Sequence, residues 1–247
     1  MMVKSFKKII LLSSVLLVGV VVASFAQQKK APSKPKPKKD YLVTITTEFG
    51  QIYLVLYDKT PKHKENFIKL AKNKFYDSLL FHRVIDGFMI QGGDPNSKNA
   101  QAGEILGMGD IGYMIEAEFH PEIFHKRGSL AAARTDNPQK ASSGCQFYIV
   151  QKKALSDAEL EQIEANMGRQ IPEHQKKVYR EIGGTPHLDM GYTVFGEVIQ
   201  GMEVVDKIAA VERDENNRPL KDIRMSIKVE ELPKQKISQR FGYQFKD

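Results

Sequence analysis

Three features of residues 41–232 predict a mainly β domain folded as a closed antiparallel barrel. Short runs of β-branched and aromatic residues recur, glycine-marked turns separate them, and segments of helical periodicity are few. Closure is expected because it leaves no strand edge open to a second chain.

Order begins at Tyr41. Val43 and Ile45 alternate with Thr44 and Thr46, and after Phe49-Gly50 the run from Ile52 to Tyr57 is β-branched or aromatic on both faces, which reads as a β-hairpin. Thr60-Pro61 supplies an N-cap followed by proline in the first turn. Phe67, Leu70 and Ala71 follow at i, i+3, i+4 spacing, so a helix is expected there. Further strands are expected at 128–134, 146–150, 192–199 and 223–230, the last with Ile223, Met225, Ile227 and Val229 on one face. A short helix is expected over 202–210. Residues 152–184 break the β pattern. Ser156 and Glu159 form a capping box before Leu160 and Ile163, Gly168 stops that helix, Pro172 opens another, and Gly183-Gly184 end it. This predicts a helical hairpin, at about 155–183, inserted between two barrel strands.

The net charge of +7 is not on the domain. Residues 1–40 hold nine lysines and one aspartate, which leaves 28 basic and 29 acidic residues in 41–247. A basic face for nucleic acid is therefore not expected on the domain. Lys4, Lys7 and Lys8 precede an apolar run that ends in Ser24-Phe25-Ala26, a small-x-small pattern, so residues 1–26 read as a secretory signal peptide and the protein as exported to the periplasm. The run from Ile9 to Ala26 has 18 residues, just enough to span a bilayer, so an uncleaved anchor in the inner membrane is the alternative. Membrane contact is expected only in that case. Residues 27–40, with six lysines and three prolines, form an extended linker, and residues 233–247 a charged C-terminal tail with no assigned role.

Most familiar chemistries find no support. The six histidines show no i, i+4 pair and no companion cysteines, so no metal site is expected. Cys145, the single cysteine, lies in the apolar run CQFYIV and reads as a small buried side chain, and alone it can form no intramolecular disulfide. No phosphate-binding loop, GxSxG or Ser-x-x-Lys element is present. What remains is FHRVIDGFMIQGGDP at 81–95, which sets Arg83 between an apolar run and a glycine pair with no carboxylate beside it.

That stretch closely resembles the signature of cyclophilin-type peptidyl-prolyl cis-trans isomerases. TPKHKENFIKLAKNKFYDSLLFHR upstream, GSLAAAR and SSGCQFYI in the middle, and HLDMGYTVFGEVIQGMEVVDKI downstream resemble the same family in the same order. The resemblance implies an eight-stranded antiparallel barrel capped by two helices, acting on proline-containing polypeptides with no cofactor. It implies that Arg83 is the catalytic donor, that Phe88, Met89, Tyr148 and Leu188 form the proline pocket, and that Gln91 binds the substrate backbone and orients Arg83. Main-chain groups of Ala133 and Arg134 would anchor the peptide, with Gln146, His187 and Tyr192 on the rim. His187 stands where members that bind cyclosporin tightly have tryptophan, so weak or no cyclosporin binding is expected. Tyr148 replaces a common phenylalanine, adding a hydroxyl at the pocket floor, while Tyr192 replaces a common histidine and Arg134 a usual asparagine. The rival reading is a peptide-binding chaperone or assembly scaffold that keeps the fold without catalysis.

Overall fold

The computed structural model describes residues 37–245. The expected signal peptide or anchor at 1–26 and most of the 27–40 linker lie outside the described residues. The main sheet starts inside the expected linker, at β1 (Lys39–Thr47), which turns back into β2 (Gly50–Leu56) as the alternation of Val43 and Ile45 predicts. Helix α1 (Pro61–Lys72) has Pro61 in its first turn, but the Thr60 hydroxyl does not cap it. That hydroxyl bonds the Tyr57 carbonyl at 3.4 Å, and the orphan N–H groups of Lys62 and His63 donate instead to the Glu118 carboxylate, both at 3.0 Å. A distant carboxylate thus supplies the cap that local sequence assigned to Thr60.

The signature segment forms a second hairpin, β3 (Phe81–Ile85) and β4 (Met89–Gly92). A two-residue strand β5 (Met114–Ile115) pairs with β7 (Ser142–Ser143), and between them lies β6 (Ser129–Ala132). After β8 (Phe147–Val150) the expected helical hairpin appears as α2 (Asp157–Met167) and α3 (Glu173–Glu181). The Ser156–Glu159 capping box is formed, and Gly168 takes the left-handed C-cap at φ 63°. Strand β9 (Val194–Gln200) and helix α4 (Met202–Ala209) follow the sequence expectation closely, and strand β10 (Ser226–Pro233) starts three residues later than expected. A fifth helix, α5 (Lys234–Phe241), occupies the segment read as a charged tail. Its Ile237 is buried against Leu42 and Val55, which explains why β2 is apolar on both faces.

Eight strands form one sheet in the order β10-β1-β2-β9-β6-β8-β4-β3. The expected continuous closed ladder is not formed, because β10 and β3 are the two ends of this sheet. They approach at a seam holding one isolated bridge, Leu80 to Arg224, beside backbone bonds Ser78 N–H to Met225 O (2.9 Å) and Met225 N–H to Leu79 O (2.8 Å). The physical reason lies in the strand expected at 223–230. Its first three residues serve the seam, with Ile223 and Met225 in the core and the Arg224 guanidinium bonded to the Ser78 and Lys98 carbonyls, and only from Ser226 does the chain pair with β1.

The strands that carry the site are buried on both faces, and period-2 alternation sorts their side chains. Phe147 and Ile149 of β8, Ile90 of β4, Leu130 and Ala132 of β6 and Phe195 of β9 enter the main core. Their immediate neighbours Tyr148, Val150, Met89, Ala131 and Val194 form a second apolar cluster on the opposite face. In the core, Phe147 meets Phe67, Tyr76 and Phe81 edge-on at 5.6, 5.6 and 6.3 Å between ring centres.

Candidate active site

Strand register assembles the site in one row. Arg83 pairs with Gln91, Gln91 with Tyr148, Tyr148 with Ala131, and Ala131 with Val194, which crosses β3, β4, β8, β6 and β9. At about 4.8 Å between strands, Arg83 stands roughly 10 Å of backbone from Tyr148, within reach of a proline ring lying between them. The apolar shelf of that row is built by Met89, Tyr148 and Ala131, all buried, with Phe88, Ala133, Leu188 and Tyr192 packed around them.

Arg83 is half-buried and, among the described residues, faces no carboxylate partner. Its Nη1 donates to Gln91 Oε1 at 3.2 Å, Gln91 Nε2 donates to Gln146 Oε1 at 3.0 Å, and Gln146 Nε2 donates to the carbonyls of Gly107 and Gly109 at 2.9 and 2.8 Å. This chain fixes amide orientation from one end to the other. Its far end is held by buried Asp94, which accepts from the N–H groups of Gly107, Gly109 and Asn96. Burial lowers the Arg83 pKa from its ordinary value, and nearby Tyr192 opposes that shift. The glycine pair has two separate reasons. Gly93 has φ 95°, and a Cβ there would lie 2.3 Å from the Cys145 carbonyl. Gly92 has ordinary backbone, and a Cβ there would lie 3.0 Å from the Leu80 carbonyl.

The Tyr148 hydroxyl, expected at the pocket floor, is instead turned into the fold. It bonds His125 Nε2 at 2.9 Å, His125 Nδ1 bonds Asp189 Oδ1 at 2.9 Å, and the Tyr179 hydroxyl donates to Asp189 Oδ2 at 2.6 Å. All four residues are buried. The Asp189 carboxylate can only accept, so Nδ1 carries a proton, and with its hydroxyl held by His125 the phenol ring alone lines the floor. Sequence reasoning missed this relay because its members come from β8, the loop before β6, α3 and the turn after Leu188.

The resemblance implies main-chain anchoring of the peptide by Ala133 and Arg134. The Ala133 N–H donates to the Gln146 carbonyl (2.9 Å) and its own carbonyl accepts from Ser143 N–H (2.8 Å), so its N–H is committed within the fold, while its methyl packs on the shelf. Arg134 lies flat over the Tyr192 ring at 4.6 Å, with Nε donating to the Gly191 carbonyl at 2.9 Å. The pair Arg134 and Tyr192 closes one side of the shelf. On the rim, His187 is exposed and stacks on Phe88 at 5.9 Å and 25°.

On the other flank of Arg83 lies a polar hollow of about 260 Å³, bordered by His82, Leu106, Asn216 and Arg218, with exposed Ile105 and Met108 at its lip. Among the described residues neither ring nitrogen of buried His82 has a hydrogen-bond partner, and burial, reinforced by Arg83 and Arg218, pushes its pKa down to about 4 against the pull of Asp94. Neutral His82 spares Arg83 a second adjacent cation. A folded pKa below the unfolded value means that the unfolded chain binds the extra proton between about pH 6.5 and 4. Stability is therefore full above pH 6.5 and falls as pH drops through that window. His82 alone should remove about 3 kcal/mol between pH 7 and 4. Urea titrations of wild type and His82→Gln check this: the pH slope should flatten in the variant, and equal slopes would refute it.

The comparisons agree with this geometry. Residues 42–229 match the family described as Cyclophilin type peptidyl-prolyl cis-trans isomerase/CLD. A peptidyl-prolyl cis-trans isomerase homologue of Staphylococcus saprophyticus is 38% identical over 182 residues, covering 74% of this chain and 87% of its own. One from Staphylococcus aureus strain USA300 is 39% identical over 191 residues, covering 76% and 91%. A Streptococcus pyogenes protein named as a bifunctional phosphatase/peptidyl-prolyl cis-trans isomerase is 39% identical over 184 residues, and the chain spans 37% of it. Among solved structures, the Cryptosporidium parvum cyclophilin type peptidyl-prolyl cis-trans isomerase determined in the presence of the dipeptide Ala-Pro superimposes with a TM-score of 0.55 at 24% identity, covering 76% of this chain and 98% of its own. The chain belongs to the cyclophilin-type peptidyl-prolyl cis-trans isomerase family. Its enzyme class is that of an isomerase of the bond preceding proline.

Proposed function

We propose that the protein accelerates Xaa-Pro isomerisation in exported polypeptides, with Arg83 as the catalytic group and the shelf of Phe88, Met89, Tyr148 and Leu188 as the proline pocket. The observation that carries this reading is the single row from Arg83 through Gln91 to Tyr148, which sets a fixed guanidinium beside an apolar floor. Amide resonance imposes a barrier of about 18–20 kcal/mol on the rotation. When the bond twists, the prolyl nitrogen recovers its lone pair and the amide loses polarity. A donor aimed at that nitrogen then stabilises the twisted state more than the planar one. The shelf removes water, which otherwise favours the polar planar form. No covalent bond and no proton transfer is needed. Uncatalysed, the step takes about 10–100 s, long enough to delay folding. The Ala-Pro dipeptide of the Cryptosporidium parvum structure is a ligand of the kind such a shelf fits.

We place this activity outside the cytoplasm, with residues 1–26 as a cleaved signal and 27–40 as a tether, the inner-membrane anchor being the alternative. Mass spectrometry of the protein from its host decides between them: a chain starting at Gln27 supports cleavage, and an intact Met1 the anchor. Among the described residues no helix is long and apolar enough to cross a membrane. The activity is tested by cis-to-trans relaxation of a short Ala-Pro peptide followed by NMR exchange. Catalytic amounts of protein should shorten it, and an unchanged rate would favour the non-catalytic scaffold.

Cyclosporin should bind weakly or not at all, since His187 offers a small ring already stacked on Phe88 where an indole would add apolar area and a donor. Inhibition at nanomolar concentration would contradict this, and His187→Trp should strengthen binding by at least about tenfold, or roughly 1.4 kcal/mol.

A further inference from the structure

We propose that the inserted helical hairpin adds a second apolar subsite to the substrate groove, which takes a large apolar side chain of the client polypeptide a few residues from its proline. The proposal rests on the isomerase reading above. Between the shelf and α2 runs a groove of about 540 Å³, within the roughly 300–1,000 Å³ typical of ligand pockets. Phe88 and His187 form one wall, and Leu155, Ala158 and Ile163 of the hairpin form the other. Phe88 belongs both to the shelf cluster and to this wall, so the groove continues the pocket that holds the proline. That continuity identifies the occupant as the same polypeptide. It also gives a direction: Phe88 and Gln91 lie about 10 Å apart along β4, so the groove opens at the end of the shelf away from the Arg83–Gln91–Gln146 chain.

The groove is not a gap left by loose packing. The hairpin fills its own core with Leu155, Leu160, Ile171 and Tyr179, all buried, while Ala158 stays exposed and Ile163 half-buried. Tyr179 ties α3 to the shelf floor through Asp189, His125 and Tyr148, and the Leu155 N–H donates to the Tyr179 carbonyl at 3.0 Å. The wall is therefore set before a client arrives, which lowers the ordering cost of binding. The Thr185 hydroxyl, from a residue that lines the same groove, is buried with no hydrogen-bond partner. Among the described residues nothing meets that capacity. At the mouth, the Lys152–Glu159 pair at 3.2 Å supplies a polar rim around an apolar floor.

The test uses Ala-Pro peptides in which leucine or glycine is scanned through three positions on each side of the pair. In the wild type, leucine at a position on one side of the proline should raise kcat/KM about tenfold over glycine, the discrimination expected of an apolar pocket. Ala158→Glu, at the second residue of α2 where a carboxylate suits the helix N-terminus, should bring that ratio close to one, and Ala158→Trp, which fills the groove, should do the same. A wild-type ratio below about twofold at every position, or a ratio that survives both variants, overturns the subsite while leaving the isomerase reading intact. Absence of turnover for every peptide defeats the isomerase reading instead. Then a peptide carrying a photoreactive phenylalanine analogue decides the subsite: cross-links mapping to 155–163 support it, and cross-links only elsewhere overturn it. Self-association that Ala158→Glu abolishes would also overturn it, by giving the groove to a second copy.

Discussion

Arg83→Ala should lower kcat/KM for an Ala-Pro peptide by about 10²–10³, the usual cost of losing a donor aimed at a transition state. The fold should hardly notice. Arg83 is half-buried, its side chain bonds Gln91 at 3.2 Å, and among the described residues it balances no carboxylate. Its removal should cost less than about 1 kcal/mol. Arg83→Lys should recover little, because an ammonium lacks the rigid fork that Gln91 holds in place. Partial desolvation lowers the His187 pKa, which moves its titration away from neutrality, and the proposed chemistry transfers no proton, so the rate should be flat from about pH 6 to 8. Three measurements check the argument: NMR exchange rates, urea midpoints and the pH profile. A variant lacking arginine that keeps more than about a third of wild-type activity would remove Arg83 from the mechanism.

Asp189→Ala should be the most damaging substitution for stability outside the hydrophobic core. The carboxylate accepts from the His125 backbone N–H at 2.8 Å, from the His125 ring at 2.9 Å and from the Tyr179 hydroxyl at 2.6 Å, and its residue is 8% exposed. Three buried donors would lose their acceptor at once, at about 1–3 kcal/mol each, so a loss of at least about 3 kcal/mol is expected. Tyr148→Phe removes one bond at the other end of the relay and should cost only about 1 kcal/mol. Urea unfolding separates the two. If Asp189→Ala cost no more than Tyr148→Phe, the relay would be a set of independent contacts and not a shared acceptor.

The site was legible where chemistry and strand period sit in one stretch of chain. FHRVIDGFMIQGG carries Arg83, Gln91 and half of the shelf, and the alternation Phe147, Tyr148, Ile149 fixes which face each residue meets. The helical hairpin was equally readable, since the capping box and the left-handed Gly168 are local signals. Features that depend on distant partners were not readable. His125 and Asp189 lie 64 residues apart, Glu118 caps a helix 56 residues earlier, and no spacing rule links either pair. The committed Ala133 N–H and the seam at Leu80–Arg224 belong to the same group. The last helix left a trace that could have been followed: a strand apolar on both sides, as 52–57 is, needs a cover for each, and Ile237 provides the second.

The sorting of β8 side chains also bears on how this enzyme can change. Positions 147 and 149 enter the main core, and positions 148 and 150 join the separate cluster on the opposite face, where the proposed proline pocket lies. Heritable drift at one parity can retune which polypeptides are served while the other parity keeps the architecture intact. Laboratory evolution confined to the even positions of this strand is thus the economical route to new clientele.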